Sequence, residues 1–191
     1  MKTKRYLLVV PALLVLFSAC NNTGRKDSEK VAEQNNTQKA DSSKALEKIE
    51  GDSKFVVKAT SGVTMETELG QYASEHAVTA GVKMFGENMV KDHSKDKETL
   101  KKLAAEKKIT IPAQTGEDFR KHINEITSKK GIEFDKAYIS FMVGDHKEDI
   151  SEFTKEAKDG KDVDIKAFAA KGVPVLQHHL DMATSLNDKL K

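Results

Sequence analysis

The sequence predicts an all-α protein organised as a four-helix bundle. Charged residues make up 32% of the 191-residue chain and aromatics only 6%, with no Trp and three Pro. That composition is rich in helix formers and poor in the aromatic and β-branched residues that strands favour. From Gly51 onward the apolar residues recur at steps of three and four rather than alternating, which is the helical period. The turn and breaker signals are few, and they leave four long amphipathic segments.

The chain opens with a basic start, Met1 to Arg5, followed by an apolar run from Tyr6 to Phe17 and the small residues Ser18 and Ala19. The run is too short for a membrane span of ~20 residues and has the shape of a secretory signal. Leu16-Phe17-Ser18-Ala19-Cys20 resembles a bacterial lipobox, in which cleavage before the Cys leaves it as the lipidated N-terminus. Residues 1–19 are therefore expected to be a lipoprotein signal peptide and Cys20 the lipidation site. Cys20 is the only cysteine in the chain, so no internal disulfide is possible. Residues 20–50 are polar, with almost no large apolar residue before Leu46. Such a stretch buries too little surface to offset its ordering entropy and is expected to be a disordered tether.

The domain is expected over residues 51–191. Its first stripe is Phe55, Ala59, Gly62, Glu66, Leu69, Ala73 and Ala77. The second is Val82, Phe85, Met89, His93, Asp96, Leu100 and Leu103. After Ile111-Pro112 a short amphipathic piece carries Phe119, Ile123 and Ile126 and ends near Gly131. The third long stripe is Ile139, Met142, His146, Ile150, Phe153 and Ala157, and the fourth runs from Ile165 through Phe168, Val175, His179 and Met182 to Leu190. Pro174 lies inside the last, so that helix is expected to kink or restart there. Short joins near residues 78 and 161 suit antiparallel neighbours. The passage from about 109 to 130 suits a crossover carrying a short extra helix between helices two and three, the connectivity of a ferritin-like bundle.

Each stripe is interrupted once near its middle by a residue able to bind metal: Glu66, His93, His146 and His179. Glu66 lies 12 residues before the first join and His93 15 after it; His146 lies 15 before the second join and His179 18 after. At ~1.5 Å rise per residue each mismatch is about 4.5 Å, so the four side chains can meet inside the bundle. Imidazole is the commonest transition-metal ligand, and three with a carboxylate suit Fe, Cu or Zn. Asp92 and Asp145 precede two of the histidines, and Asp96 follows His93 by one turn. All three are candidates to orient the ligands. The alternative is a metal-free core in which these polar groups bond one another.

Met89-Val-Lys-Asp-His93-Ser-Lys-Asp96 echoes Met142-Val-Gly-Asp-His146-Lys-Glu-Asp149, so two helices carry M-V-x-D-H-x-x-D in one register. Val90, Val143 and Leu176 stand three residues before the three histidines, which departs from the Glu-x-x-His of di-iron bundles. Glycine-rich phosphate loops, serine nucleophile elbows and paired metal cysteines are missing from the sequence. Without Lys2, Lys4 and Arg5 the chain has 29 bases against 30 acids. That balance gives no electrostatic footprint for nucleic acid.

In order along the chain come Glu66-Thr-Glu68-Leu-Gly70, Met89-Val-x-Asp-His93, Phe134-Asp135-x-x-Tyr138 with Met142-Val-x-Asp-His146, and Pro174-x-Leu176-x-x-His179-Leu180. This set resembles the domain-of-unknown-function family 4142 of small exported bacterial proteins, often labelled outer-membrane proteins and grouped with ferritin-like bundles. The resemblance covers roughly residues 52 to 188 and implies an envelope location and that fold. It implies no reaction. The expectation is thus a protein held to the outer membrane by its lipid and facing the periplasm, with a metal-handling or stress role and unknown protein partners.

Overall fold

The structure, a computed structural model, describes residues 27–191. The expected signal peptide, Cys20 and the first part of the tether lie outside the described residues. The described chain is all-α, with seven helices among those residues: α1 Ser28–Asp41, α2 Lys44–Glu47, α3 Glu50–His76, α4 Ala80–Lys107, α5 Glu117–Thr127, α6 Gly131–Asp159 and α7 Val163–Leu190. None is long and apolar enough to cross a membrane.

The four long helices form a closed ring of neighbours, α3 beside α4, α4 beside α7, α7 beside α6 and α6 beside α3. Aromatic pairs set their directions. Phe55 meets Phe153 and Tyr72 meets Phe134, so α3 and α6 run antiparallel. Phe85 meets Tyr138 and His93 meets His146, so α4 and α6 run parallel across the core. The passage from α4 to α6 must therefore return along the bundle. It does so with α5 packed on α3 and α6, burying Ile123 and Ile126.

The tight joins are held by acids from the opposite helix pair. Asp135 of α6 accepts from the backbone N–H of Val78 and Thr79 at 3.2 and 2.8 Å. Asp52 of α3 accepts from Lys161 N–H, at 2.9 Å for the nearer oxygen, and from Asp162 N–H at 2.5 Å. Each satisfies donors that a helix start leaves unpaired. Asp162 in turn caps α7 by accepting from Asp164 and Ile165 N–H. Between α3 and α4 the backbones touch: a Cβ on Gly86 would lie 2.6 Å from the Gly70 carbonyl oxygen. Glycine at 70 and 86 is what allows that approach.

Two expectations are corrected. Residues 28–41 and 44–47 are helical, and the first of these helices is docked, not a disordered tether. Asp27 caps α1 by accepting from Glu29 N–H, and Ala32, Asn36 and Ala40 are buried. The Asn36 amide donates to the Thr110 carbonyl at 2.8 Å while its oxygen accepts from Thr110 N–H at 2.6 Å. A polar helix with three small or amide residues on one face is thus pinned by hydrogen bonds rather than by apolar area. Of the kink or restart expected of α7, the restart at Pro174 is the part corrected. The helix is continuous through it, one missing N–H being tolerated where Ile165, Phe168 and Ala169 before it and Leu176 after it are buried.

The core falls into two apolar clusters. One gathers Met65, Leu69, Phe85, Met89, Tyr138 and Met142; the other gathers Val56, Val63, Leu100, Phe153, Ile165 and Leu176. Each fully buried aliphatic or Met contributes about 1.5–3 kcal/mol. Between the two clusters lies a polar layer.

Candidate metal centre

All four mid-stripe residues fall in that layer. Glu66 and His93 are 1% exposed and His146 and His179 0%. The ring centroids of His93 and His146 lie 6.0 Å apart, those of His93 and His179 5.1 Å, and those of His146 and His179 5.5 Å. One nitrogen from each of the three rings falls within 4.8 Å of the other two. Glu66 Oε2 stands 3.5 Å from His93 Nδ1, and its Oε1 stands 3.5 Å from His146 Nε2. The sequence therefore identified the four positions that converge.

Hydrogen bonding fixes the tautomers. His146 Nδ1 lies 3.1 Å from the Met142 carbonyl, which can only accept, so Nδ1 carries the hydrogen and Nε2 a lone pair. His179 Nε2 donates to Asp92 Oδ2 at 3.3 Å, which leaves the lone pair on Nδ1. Those two nitrogens, both nitrogens of His93 and Oε1 of Glu66 are buried with no hydrogen-bond partner. Each such atom costs about 1–3 kcal/mol. A carbonyl behind His146 and a carboxylate behind His179 leave one lone pair free on each ring, the usual preparation of a metal-ligating histidine.

The charge states agree. Burial, then the positive forms of His93 and His179, push His146 down to about 3. Burial and His93 outweigh Asp92 and push His179 down to about 4. Both rings are neutral at pH 7, the ligating form. Burial, then Asp149, Asp145 and Asp96, hold the Glu66 carboxyl well above its ordinary range. Burial, then Asp149 and Glu148, do the same to Asp145. Burial and Glu152 push Asp149 up to about 7. Burial would raise Asp92 too, but its bonds to His179 and Lys95 prevail and lower it.

The three acids expected to orient the ligands behave differently from one another. Asp92 serves His179 of α7, not its neighbour His93. Asp96 Oδ2 approaches His93 Nδ1 at 3.3 Å, without hydrogen-bond alignment. Asp145 does not orient His146, whose Nδ1 is taken by Met142. Instead, Asp145 joins Glu66 and His146 in a second set with ligand atoms within 4.8 Å of one another. A cavity of about 10 Å³ adjoins the layer, lined by Glu66, His93, Asp96, Asp149, Phe153 and Leu176 among others. That volume is room for about one water. Sequence reasoning passed over Asp149 and Tyr138. Asp149 closes the second copy of the echo, the position Asp96 holds in the first. Tyr138 lies two turns before His146 on the same face, with a buried, unpartnered hydroxyl. Burial, then Glu66 and Asp145, hold that hydroxyl well above its ordinary value.

The bundle with this polar layer defines a class of helical protein with an unsatisfied imidazole–carboxylate core. Residues 35–186 match the model of the Domain of unknown function family DUF4142, and the chain belongs to that family. No curated protein and no solved structure matches it.

Proposed function

We propose that this chain is a lipid-anchored envelope protein whose bundle holds one transition-metal ion on His93, His146 and His179, with Glu66 as fourth ligand. One observation carries the reading: three imidazoles, all but fully buried, bring one nitrogen each to within 4.8 Å of the other two, and each ring has a buried nitrogen without a hydrogen-bond partner. Nitrogen-rich donors with one carboxylate suit Fe, Cu or Zn, and such an ion would supply Lewis acidity or a redox couple. The protein's own part is to exclude water with the two apolar clusters and to hold His146 through the Met142 carbonyl and His179 through Asp92. A role in metal handling or oxidative stress follows, in a ferritin-like setting. The anchor rests on the lipobox ending at Cys20, and the outer membrane facing the periplasm is the location proposed.

The rival is a metal-free envelope module with a hydrogen-bonded polar core. The unpartnered atoms on Glu66 and all three histidines weigh against it, since a self-satisfied network would pair them. Elemental analysis of the full chain in mild detergent, without a metal-binding tag, tests the reading. Near-stoichiometric Fe, Cu or Zn, lost in His93→Ala, is expected. No metal after incubation with each ion, and a melting temperature indifferent to chelator, would establish the rival. Replacing Cys20 by Ser and following radiolabelled fatty acid tests the anchor separately.

A further inference from the structure

We propose that Glu66, Asp145 and His146 form a second, oxygen-rich cation position through which a divalent ion passes on its way to and from the three histidines. The inference rests on the metal-centre reading above and goes beyond it by assigning a route. Three observations carry it. Glu66 Oε1, Asp145 Oδ2 and His146 Nε2 are each buried without a hydrogen-bond partner, and these three residues place ligand atoms within 4.8 Å of one another. Two carboxylate oxygens and one nitrogen make a donor set that accepts harder divalent ions, such as Mn²⁺, than the three-histidine position prefers.

Next, the two sets share one atom. His146 Nδ1 is bound to the Met142 carbonyl, so only Nε2 serves either set, and one lone pair binds one ion at a time. The two positions are therefore successive stations for a single ion, linked by Glu66, whose two oxygens face His146 and His93 respectively.

Last, the second set adjoins the acidic flank of α6. Asp145 turns a buried oxygen into the core while the residue itself is only half-buried. Beyond it on α6 follow Glu148, Asp149 and Glu152, an acidic series. Lys58 of α3 bridges Glu148, at 3.0 Å, and Glu152. A line of carboxylates leading to a buried triad concentrates cations along that flank of α6, and a cation entering there would displace Lys58 from Glu148 and Glu152.

Two measurements test the route. In the first, Co²⁺ loading of the full chain is followed by its visible absorbance, and release by adding chelator. A ligand lost from the final site speeds release, whereas a waypoint lost slows both directions. Asp145→Asn is therefore expected to slow loading and release alike, by about tenfold or more. In the second, a His93→Ala/His179→Ala chain, which lacks the nitrogen-rich position, is expected to keep one weak Mn²⁺ site by paramagnetic resonance titration. That site should vanish when Asp145→Asn is added. Unchanged Asp145→Asn rates, faster release, or Mn²⁺ binding absent or indifferent to Asp145 would overturn the route. If circular dichroism finds the double variant unfolded, the Co²⁺ rates decide alone. A wild-type chain that takes up no Co²⁺ would sink the metal centre itself. One that binds Co²⁺ with rates insensitive to Asp145 would sink only the route.

Discussion

Asp92 and Asp135 show how a single carboxylate is spent in this fold. Asp92 is partly exposed and holds His179 from across the α4–α7 seam. Its loss removes one bond of 3.3 Å from a residue that packing already confines. Asp92→Ala should therefore cost no more than about 1 kcal/mol of stability. It should weaken metal binding by about 10- to 100-fold, as loss of a group behind a ligating imidazole does. Paired urea denaturation and metal titration would separate the two effects. A stability loss with unchanged affinity would mean that Asp92 only supports packing. Asp135 is the reverse case. It is fully buried and accepts from two N–H groups of the α3–α4 join, and it is not among the residues of the metal layer. Asp135→Ala leaves both donors unmet, so urea denaturation should register a loss of about 2–3 kcal/mol. The sequence made Asp92 visible only as the residue before His93, whereas its partner turned out to be His179. Asp135 stood in the sequence only as part of the Phe134-Asp135-x-x-Tyr138 motif, because a bond to a join 56 residues away leaves no periodic trace.

The long helices were readable because a 3.6-residue stripe must be apolar wherever four helices share one core. Interruptions of that stripe by Glu66, His93, His146 and His179 were readable for the same reason. The docked α1 was not, since its buried face consists of Ala32, Asn36 and Ala40. Hydropathy sees nothing in such a face; the two hydrogen bonds of Asn36 to Thr110 hold it. Asn36→Ala should release α1 without unfolding the bundle. In hydrogen exchange, residues 28–41 should lose protection while α3, α4, α6 and α7 keep theirs. Uniform loss across all helices would show instead that α1 folds as one unit with the rest. On α6, burial and the charge of Asp52 push Glu156 from 4.5 up to about 7. The folded carboxyl thus keeps a proton that the unfolded chain gives up, so stability falls as pH rises from 4.5 to about 7, and the loss is complete above that. Glu156 is only half-buried, so solvent screening leaves an effect of about 1 kcal/mol. Glu156→Gln should raise the melting temperature at pH 8 and leave it unchanged at pH 4. Equal shifts at both values would rule out a titration origin.

For the chain as a whole, the polar layer sets stability against occupancy. Two apolar clusters enclose groups that would be cheaper in water, and a bound ion would satisfy several of them together. Because the ion binds the folded bundle and not the unfolded chain, it should stabilise the fold by about 2.7 kcal/mol at a hundredfold excess over Kd. The pH at which this stabilisation fades reports the state of the histidines. Exposed imidazoles protonate near 6.5 and would release an ion below it. Here burial holds His146 and His179 neutral down to about 3 and about 4. In the unfolded chain the same rings charge below about 6.5, so the contribution of these two groups to stability is complete above that value and declines as pH falls toward their folded values. The rise in melting temperature on adding Zn²⁺ should consequently survive at pH 5.5, reduced by the proton that Glu66 must give up but not abolished. Calorimetric scans with and without Zn²⁺ at pH 7.5 and 5.5 would measure it. A metal-induced rise present at 7.5 and gone at 5.5 would mean that the histidines titrate as exposed groups and that water reaches the core.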